Sequence, residues 1–271
     1  MGQTFAGGAS STMKQNIMIF GANGYVGWNL VCRLVQVNSG EIICIDNYRK
    51  EYVQKDLFDG RLGLRVGVSL SDRIENLKRS YKKDSGINNK CKISYSWVDV
   101  TNRDEMEKVF RENNPTVIIN LAQQNSSPLS MNSWEQAIES EQVSVGSTIG
   151  ILWCMKKYCP DALLMLRGGI ECFGKPTICV NEGKFTCSIG KNFSALPFPL
   201  QPSSFSECAK ASASLYAMMC SKKWNFRVVE FKQGSPYGLT ISATRSIESI
   251  YGSFCYDKVF GTLVNRMCAQ A

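Results

Sequence analysis

Short continuous runs of apolar residues alternate along the chain with longer segments in which apolar residues recur every three or four positions. The continuous runs are typical of buried strands, and they lie at 15–21, 41–46, 95–100, 116–122, 162–168 and 226–231. The periodic segments predict helices, and they lie at 25–36, 103–112, 134–158 and 206–222. Thr101, followed three residues later by Asp104, is expected to begin the second of these helices. Repeated alternation of strand and helix predicts an α/β fold, a doubly wound parallel sheet with helices on both faces.

The alternation predicts one domain over residues 15–271 with two insertions. A charged insertion occupies 48–90 and contains a short helical piece at 72–81, and a second insertion occupies 175–202. The stretch GKPTICVNEGKF in the second insertion predicts a small hairpin or loop. Residues 1–14 are small and polar, and they predict a flexible tail that lacks the features of a secretory or transit peptide. No apolar run is long enough to predict a membrane span.

Composition and charge narrow the choice of ligand. The chain has 271 residues, of which 44% are hydrophobic and 20% charged, with a formal net charge of +8. The basic residues are scattered except for a short cluster at 79–83, which makes a nucleic-acid interface a weak interpretation. Attraction of small ligands that bear phosphate accounts equally well for the positive charge.

Cysteine and histidine usage excludes several classes of site. The twelve cysteines fall mostly in apolar runs and form no CxxC pair, which indicates reduced, buried thiols in a reducing compartment, with the organelle left open. The chain contains no histidine. A Ser-His-Asp or Cys-His nucleophile and a histidine-ligated metal centre are therefore excluded, and no metal site is predicted.

A glycine-rich stretch, FGANGYVGWNL, joins the first predicted strand to the first predicted helix. Gly21, Gly24 and Gly27 have the spacing at which a tight turn, close approach to a diphosphate and close packing of helix on sheet each require glycine. A diphosphate at this place would meet unpaired N–H groups at the positive end of the helix. A plain strand-to-helix turn is the other interpretation, but the surrounding pattern favours a Rossmann-type dinucleotide site.

Acidic residues at the ends of the next two strands fit the same site. Asp46 ends the second strand about twenty residues after the glycines, where a carboxylate can accept hydrogen bonds from the adenosine ribose of NAD and would repel the 2′-phosphate of NADP. Arg49 could offset that repulsion. Asp99 and Val100 fit a position beside the adenine edge, although an aspartate that ends a strand is as commonly a turn residue.

Lys210 lacks the tyrosine that usually precedes such a lysine by four residues, which raises the question whether the chain can catalyse proton transfer. The stretch SSFSECAK places Ser206 four residues before Lys210, where a large class of NAD enzymes has a tyrosine that removes a proton from an alcohol. With GYVGWNL, IDNYRK, SDRI, SSPLSM, LPFPLQPSSF and KQGSPYG, the chain from about residue 17 onward resembles the extended short-chain dehydrogenase/reductase superfamily. Within it, these segments are most similar to the UDP-sulfoquinovose synthase family of NAD-dependent epimerase/dehydratase type. That resemblance implies an NAD enzyme that makes UDP-sulfoquinovose from UDP-glucose and sulfite.

The resemblance implies site residues by position. The implied cofactor contacts are Gly21, Gly24, Tyr25, Val26, Gly27, Asp46, Asn47, Arg49, Arg73, Asp99, Val100 and Lys210. The implied contacts of the UDP-sugar are Gln233, Thr262 and Arg266.

The expected catalytic positions depart from the family pattern. Ser206 replaces the catalytic tyrosine, Gly169 replaces a threonine that holds the sugar, and Cys172 replaces a glutamate, with Glu171 as its neighbour. Asn125 and Ser144 replace an arginine and an asparagine. The loss of a positioned general base costs about 10²–10⁴ in rate. Since no histidine is available to activate the thiol of Cys172, a buried and inert cysteine is expected there.

Three hypotheses follow from this pattern. The first is a catalytically impaired relative that keeps its NAD site and serves as a homodimer or as a structural subunit of a larger assembly. The second is an active nucleotide-sugar enzyme that uses a residue such as Glu171, or a water, as its base. The third is a nucleotide-sensing or RNA-associated regulator. Because the family continues beyond the equivalent of Ala271, the C-terminal substrate lobe is expected to be largely absent from this sequence.

Overall fold

A six-stranded, wholly parallel sheet forms the centre of the molecule, in the strand order β3-β2-β1-β4-β5-β8. The structure is a computed structural model that describes residues 14–38, 40–58, 69–83, 91–239, 255 and 257–270. The strands are β1 (Asn16–Phe20), β2 (Glu41–Asp46), β3 (Lys92–Trp97), β4 (Val117–Asn120), β5 (Leu163–Gly169), β6 (Lys184–Ile189), β7 (Asn192–Pro197) and β8 (Arg227–Gln233). The helices are α1 (Tyr25–Val37), α2 (Arg49–Phe58), α3 (Leu70–Lys83), α4 (Arg103–Asn113), α5 (Ser127–Ser130), α6 (Trp134–Glu141), α7 (Ser147–Tyr158), α8 (Phe205–Trp224) and α9 (Leu263–Gln270).

Hydrophobic residues of β1 point alternately to two cores, one on each face of the sheet. Met18 and Phe20 contribute to the core formed with α4 and α7, while Ile17 and Ile19 contribute to the core formed with α1 and α3. Because side chains alternate across a strand, a continuous apolar run such as NIMIF fits a strand that is buried on both faces. The doubly wound Rossmann-type fold predicted from the sequence is therefore confirmed.

The strand order places the ligand-binding edge. The chain leaves β1 for β2 on one side and returns to β4 on the other, which makes the gap beyond the carboxyl ends of β1 and β4 the point where the winding reverses. Open parallel sheets bind ligands in that gap. The ends of β1, β2, β4, β5 and β8 therefore position the candidate site.

Two local predictions need correction. The third strand ends at Trp97, so Asp99 and Val100 lie in the turn that follows it. Asn102, and not Thr101, caps α4, because its side-chain oxygen accepts hydrogen bonds from the amides of Asp104 and Glu105. Thr101 donates instead to Asp99, whose carboxylate accepts from both its amide (2.9 Å) and its hydroxyl (2.7 Å).

The helix predicted over 134–158 is continuous but not uniform. Helices α6 and α7 are joined by one turn of π-helix at Gln142–Gly146, where an extra residue is inserted. Such turns are common beside functional sites. Val143 of this turn lines the cavity described below, and the hydroxyl of Ser144 has no hydrogen-bond partner among the described residues.

All of the predicted tail except Lys14, and parts of the first insertion, lie outside the described residues, at 1–13, 59–68 and 84–90. Helices α2 and α3 lie within the insertion at 48–90. In the second insertion, β6 and β7 form an antiparallel hairpin. Within the described part of the chain, no helix combines the length and hydropathy that a membrane span needs.

Candidate functional site

A cavity of about 580 Å³ opens at the carboxyl edge of the sheet. Its walls include twelve of the positions implied as cofactor or sugar contacts: Gly21, Gly24, Tyr25, Val26, Gly27, Asp46, Asn47, Arg49, Val100, Lys210, Gln233 and Thr262. Six other sequence-predicted positions are not among its lining residues: Arg73, Asp99, Gly169, Cys172, Ser206 and Arg266. The cavity runs from the end of β2, at Asp46, to the end of β8, at Gln233.

Two glycines of the glycine-rich turn have no room for a side chain. Gly21 has a φ of +77°, and a Cβ atom at Gly27 would lie 2.1 Å from the carbonyl oxygen of Gly21. Gly24 caps α1 without any side-chain hydrogen bond, and the first turn of α1 contains no acidic residue. The first turn of α1 therefore lines the cavity through Gly24, Tyr25 and Val26, with neither a side-chain cap nor an acidic residue of its own to occupy its amides, an arrangement suited to a diphosphate.

Asp46 is held by the glycine-rich turn and by its own following turn. Its two carboxylate oxygens accept hydrogen bonds from the amides of Asn23 (2.8 Å) and Tyr48 (2.9 Å). Burial raises the pKa of Asp46, although these two amide bonds and the positive charge of Arg73 oppose the shift. Each oxygen keeps a second lone pair, so the carboxylate can still accept from two hydroxyls of a ligand.

Behind the turn lies a buried polar network that the sequence did not reveal. Arg73 donates to the side-chain oxygen of Asn23 (2.9 Å), and the side-chain Nδ2 of Asn23 donates to Glu51 (2.8 Å). Arg73 also lies over the ring of Trp28, 5.7 Å from its centroid. Burial raises the pKa of Glu51 and lowers that of Arg73. Arg73, which the resemblance implied as a cofactor contact, is thus placed behind the turn, where it supports Asn23.

Arg49 and Glu139, which both line the cavity, form a two-point ion pair. The Nε and Nη2 atoms of Arg49 contact the carboxylate oxygens of Glu139 at 2.6 and 3.1 Å. Glu139 lies on α6. The charge that could offset repulsion between Asp46 and a 2′-phosphate is therefore already engaged by a carboxylate.

Lys210 is almost wholly buried and is paired with Glu171. The Nζ atom of Lys210 lies 2.5 Å from Oε1 of Glu171, and the lysine side chain is 3% exposed. A Cβ atom on Gly169 would lie 2.2 Å from the same glutamate oxygen. Glu171 thus fills the space beside residue 169 in which the family threonine would place its side chain.

Ser206 lies outside the cavity lining in a cluster of hydroxyl groups. Its hydroxyl is within hydrogen-bond distance of those of Ser204 (3.2 Å) and Ser127 (3.4 Å), and its amide donates to Ser130 (3.2 Å). The residue is fully buried. The shared hydrogen bonds and the short side chain hold this hydroxyl within the protein interior.

Glu207, the residue after Ser206, does line the cavity. Burial alone would raise its pKa, but hydrogen bonds from the amide and hydroxyl of Ser203, from Ser127 and from Ser204 together hold the pKa below its ordinary value. This carboxylate is therefore ionised and committed to its serine neighbours near neutral pH. No feature of the sequence signals the role of Glu207, because a glutamate in the first turn of a helix is common.

The remaining positions divide between cavity and interior. Cys172 is fully buried, its thiol contacts the carbonyl of Glu207 (3.5 Å), and burial raises its pKa, as an inert cysteine requires. Gln233 accepts a hydrogen bond from Nε of Arg167 (2.7 Å). Asn265 ties α9 to the cavity wall by donating to the hydroxyl of Tyr25 (3.1 Å). No cluster of metal ligands occurs in the described part of the chain.

Comparison with known proteins fits this geometry. The sequence profile of the NAD dependent epimerase/dehydratase family matches residues 17–254. The chain belongs to this family. The family uses NAD, and this chain has the parallel, Rossmann-type sheet of the family's fold.

Individual relatives agree with the family assignment. The chain is 28% identical over 268 residues to the chloroplastic UDP-sulfoquinovose synthase of Spinacia oleracea, covering 99% of this chain and 53% of that protein. It is 25% identical over 259 residues to the UDP-sulfoquinovose synthase of Sulfolobus acidocaldarius, covering 94% and 62%. The chain thus spans between about half and two thirds of the length of these curated relatives.

Solved structures of the family have the same fold at lower sequence identity. A UDP-N-acetylglucosamine 4-epimerase from Methanobrevibacter ruminantium, in complex with UDP-N-acetylmuramic acid, superposes with a TM-score of 0.63 at 14% identity, over 95% of this chain and 62% of that one. A UDP-glucose 4-epimerase from Thermotoga maritima with UDP-glucose gives a TM-score of 0.58 at 15% identity, over 83% and 57%.

Proposed function

We propose that this family member binds NAD and a UDP-sugar, as a UDP-sulfoquinovose synthase-like protein, and that its proton-transfer chemistry is impaired. The observation on which the proposal chiefly depends is that Lys210 lines the cavity while Ser206, which stands in place of the catalytic tyrosine, does not. The proposed binding site for cofactor and sugar thus lacks a proton acceptor at the expected position, because Ser206 lies outside the cavity lining.

The residues fit NAD. The side-chain-free turn at Gly21 and Gly27 leaves room for a diphosphate against the start of α1, and Asp46 offers two acceptors to the adenosine ribose. Lys210, which lines the cavity beside Glu171, would hold the nicotinamide ribose. When bound, the nicotinamide supplies a hydride acceptor, and the chain's own task is to hold and orient the reacting sugar carbon and its hydroxyl.

The pairing of Arg49 with Glu139 supports a preference for NAD over NADP. Replacing Glu139 by glutamine should release one partner of Arg49 and allow the guanidinium to meet a 2′-phosphate. We expect the ratio of the NADP to the NAD dissociation constant to fall about three- to tenfold, the range of one charge-assisted contact near a surface. Fluorescence titrations with both nucleotides measure it, with Glu135→Gln on the same helix as control. An unchanged ratio would show that Arg49 has no part in the discrimination.

Buried polar atoms support a sugar nucleotide at the other end of the cavity. The side-chain oxygens of Gln123 and Thr262 are buried and have no hydrogen-bond partner among the described residues, and both residues line the cavity. A buried unsatisfied oxygen is costly, so a ligand that donates to it gains affinity. Hydroxyls of a UDP-sugar are such donors. Arg266 lies on α9 away from the lining, where it could contact only a ligand that extends beyond the cavity.

The impairment follows from the environment of Ser206. An aliphatic hydroxyl is a much weaker acid than a phenol, and this one is fully buried among serines. The ammonium of Lys210, which would lower the pKa of a tyrosine, is engaged by Glu171. The replacement of tyrosine by serine and the pairing of Lys210 with Glu171 both weaken the general base at the position where the family has it.

A second candidate function is an active enzyme in which Glu171 accepts the proton. Its carboxylate lines the cavity, is 35% exposed and is fixed by Lys210 at 2.5 Å. A carboxylate within reach of a sugar hydroxyl can act as a general base. The two candidates differ in what removal of Glu171 would do.

Single-turnover reduction of NAD distinguishes the candidates. With NAD and UDP-glucose, we expect the unmodified protein to form NADH at least about 10²-fold more slowly than the Ser206→Tyr, Gly169→Thr double variant, because a phenol is restored and the new threonine displaces Glu171 from Lys210. Absorbance at 340 nm measures the rate, and mass spectrometry after addition of sulfite tests for the sulfosugar. Rapid NADH formation by the unmodified protein that Glu171→Gln abolishes would establish the second candidate instead.

We also propose that the chain assembles as a homodimer through its helices. Large apolar side chains are exposed on the neighbouring helices α6, α7 and α8: Trp134, Ile138, Trp153, Leu215 and Met219. Several exposed large apolar side chains on adjoining helices are typical of an interface. Sedimentation velocity should give a dimer for the unmodified protein and a monomer for the Leu215→Arg, Met219→Arg variant, with Ile178→Arg as the control. A monomeric unmodified protein at tens of micromolar, roughly the range of weak interfaces, would contradict the proposal.

A further inference from the structure

Of the residues that the structure describes, four cationic side chains line the cavity, and Arg167 differs from the other three. Among the described residues, Arg49 is paired with Glu139, Lys210 is paired with Glu171, and Lys50 contacts the thiol of Cys255 at 2.7 Å. The hydrogen-bond partner of the Arg167 side chain in the described part of the chain is a neutral amide, that of Gln233. The positive charge of Arg167 is thus not matched by a carboxylate in contact with it.

Arg167 lines the cavity and is held there by contacts of its backbone and of its Nε atom. Its backbone belongs to β5, and its carbonyl accepts a hydrogen bond from the side chain of Gln123 at 2.7 Å. Its Nε atom donates to Gln233 of the neighbouring strand at 2.7 Å. Neither Nη atom has a hydrogen-bond partner among the described residues. A guanidinium fixed through Nε and lining a cavity is prearranged to bind an oxyanion through both Nη groups.

The electrostatic surroundings favour an added anion at this place. Burial lowers the pKa of Arg167, and the negative charge of Glu171 opposes that shift. Glu171 is itself neutralised by its 2.5 Å contact with Lys210, so Arg167, Glu171 and Lys210 together keep one positive charge. A buried guanidinium without a carboxylate partner is costly, and a ligand anion would remove that cost.

We propose that Arg167 binds a negatively charged substituent on the sugar of the ligand, a carboxylate or sulfonate, and so selects acidic UDP-sugars over neutral ones. This proposal rests on the proposed function, since it places the sugar of a UDP-sugar at the carboxyl ends of β5 and β8. Gln233 is then a positioning residue, which fixes the guanidinium and leaves its Nη groups to the ligand.

The test compares three probes by isothermal titration calorimetry in the presence of NAD: UDP, UDP-glucose and UDP-glucuronic acid. We expect UDP-glucuronic acid to bind at least about tenfold more tightly than UDP-glucose, as a bidentate charge-assisted contact allows. Arg167→Gln should remove that advantage and leave the affinity for UDP unchanged. Arg167→Lys, which keeps the charge but not the fork, should retain a small part of it. Arg227→Gln, at the opposite end of β8, is the matched control.

Each other outcome is informative. If UDP-glucose binds but the acidic sugar gains nothing, or keeps its advantage in both Arg167 variants, the role of Arg167 is wrong and the proposed function stands. If Arg167→Gln weakens UDP and both UDP-sugars equally, Arg167 binds the diphosphate and the proposal is overturned. If no UDP compound binds although NAD does, the sugar-nucleotide part of the proposed function fails together with this inference.

Discussion

Replacing Gly27 by alanine is expected to abolish NAD binding and to destabilise the fold. The new Cβ would lie 2.1 Å from the carbonyl oxygen of Gly21 and 3.0 Å from Cα of Ala22, and both are backbone atoms that cannot rotate away. Relief requires the start of α1 to move off the sheet, which also moves the amides that would meet the diphosphate. We expect the NAD dissociation constant to rise at least about 100-fold and the free energy of unfolding to fall by about 1–3 kcal/mol.

The control for this substitution is Gly146→Ala. Gly146 has helical backbone angles, and nothing lies within 4 Å of an added Cβ. Alanine there should leave NAD binding unchanged and stability equal or slightly higher, because alanine favours helix over glycine. Calorimetric NAD titration and urea unfolding measure both effects. Equal NAD affinity in the two variants would show that close packing at residue 27 does not form the binding site.

Replacing Asp46 by asparagine is expected to weaken NAD binding about 10- to 100-fold, since two hydrogen bonds to a carboxylate become bonds to a neutral amide. The pH dependence gives a second readout. Burial raises the pKa of Asp46, so on acidification the carboxylate takes up its proton at a higher pH than an ordinary aspartate does. NAD affinity of the unmodified protein should therefore decline before the usual aspartate range is reached, whereas the variant should not show this decline.

Asp99→Asn tests whether the carboxylate in the turn after β3 contributes to NAD binding, as the carboxylate of Asp46 is expected to do. The carboxylate of Asp99 is used within its own turn by Thr101, and Asp99 is not among the cavity-lining residues. We expect less than about a threefold change in NAD affinity, the effect of losing a minor or indirect contact. Titrations of the three proteins between pH 4.5 and 8 measure both effects. A loss at Asp99 that equals the loss at Asp46 would place the adenosine elsewhere.

The features that follow from local requirements could be predicted from the sequence. The turn around Gly21 and Gly27 is dictated by backbone sterics, and the run EIICID is long and apolar enough to be a buried strand that ends at Asp46. The sequence therefore predicts whether a segment is a helix or a strand more reliably than it predicts the residues at which the segment begins and ends. The sequence predicts Thr101 as the cap of α4, whereas the structure has Asn102. Both residue types can cap a helix, and the tertiary structure decides which one does.

The features that depend on contacts between distant segments could not be predicted. The pairing of Lys210 with Glu171 joins residues 39 apart, and it depends on the absence of a side chain at Gly169. Arg167 lies in an apolar run that indicates only a buried strand, and its role depends on Gln233 of the next strand. The serine cluster around Ser206 likewise brings together α5 and α8. Such pairings are set by the packed fold and have no local periodicity.

Calorimetric titration of the purified, unmodified chain with NAD tests the central claim most directly. The account predicts saturable binding of one NAD per chain, because the turn at Gly21 and Gly27, the end of α1 and Asp46 together offer a diphosphate and a ribose their partners. The absence of binding heat, with circular dichroism showing that the chain is folded, would contradict it.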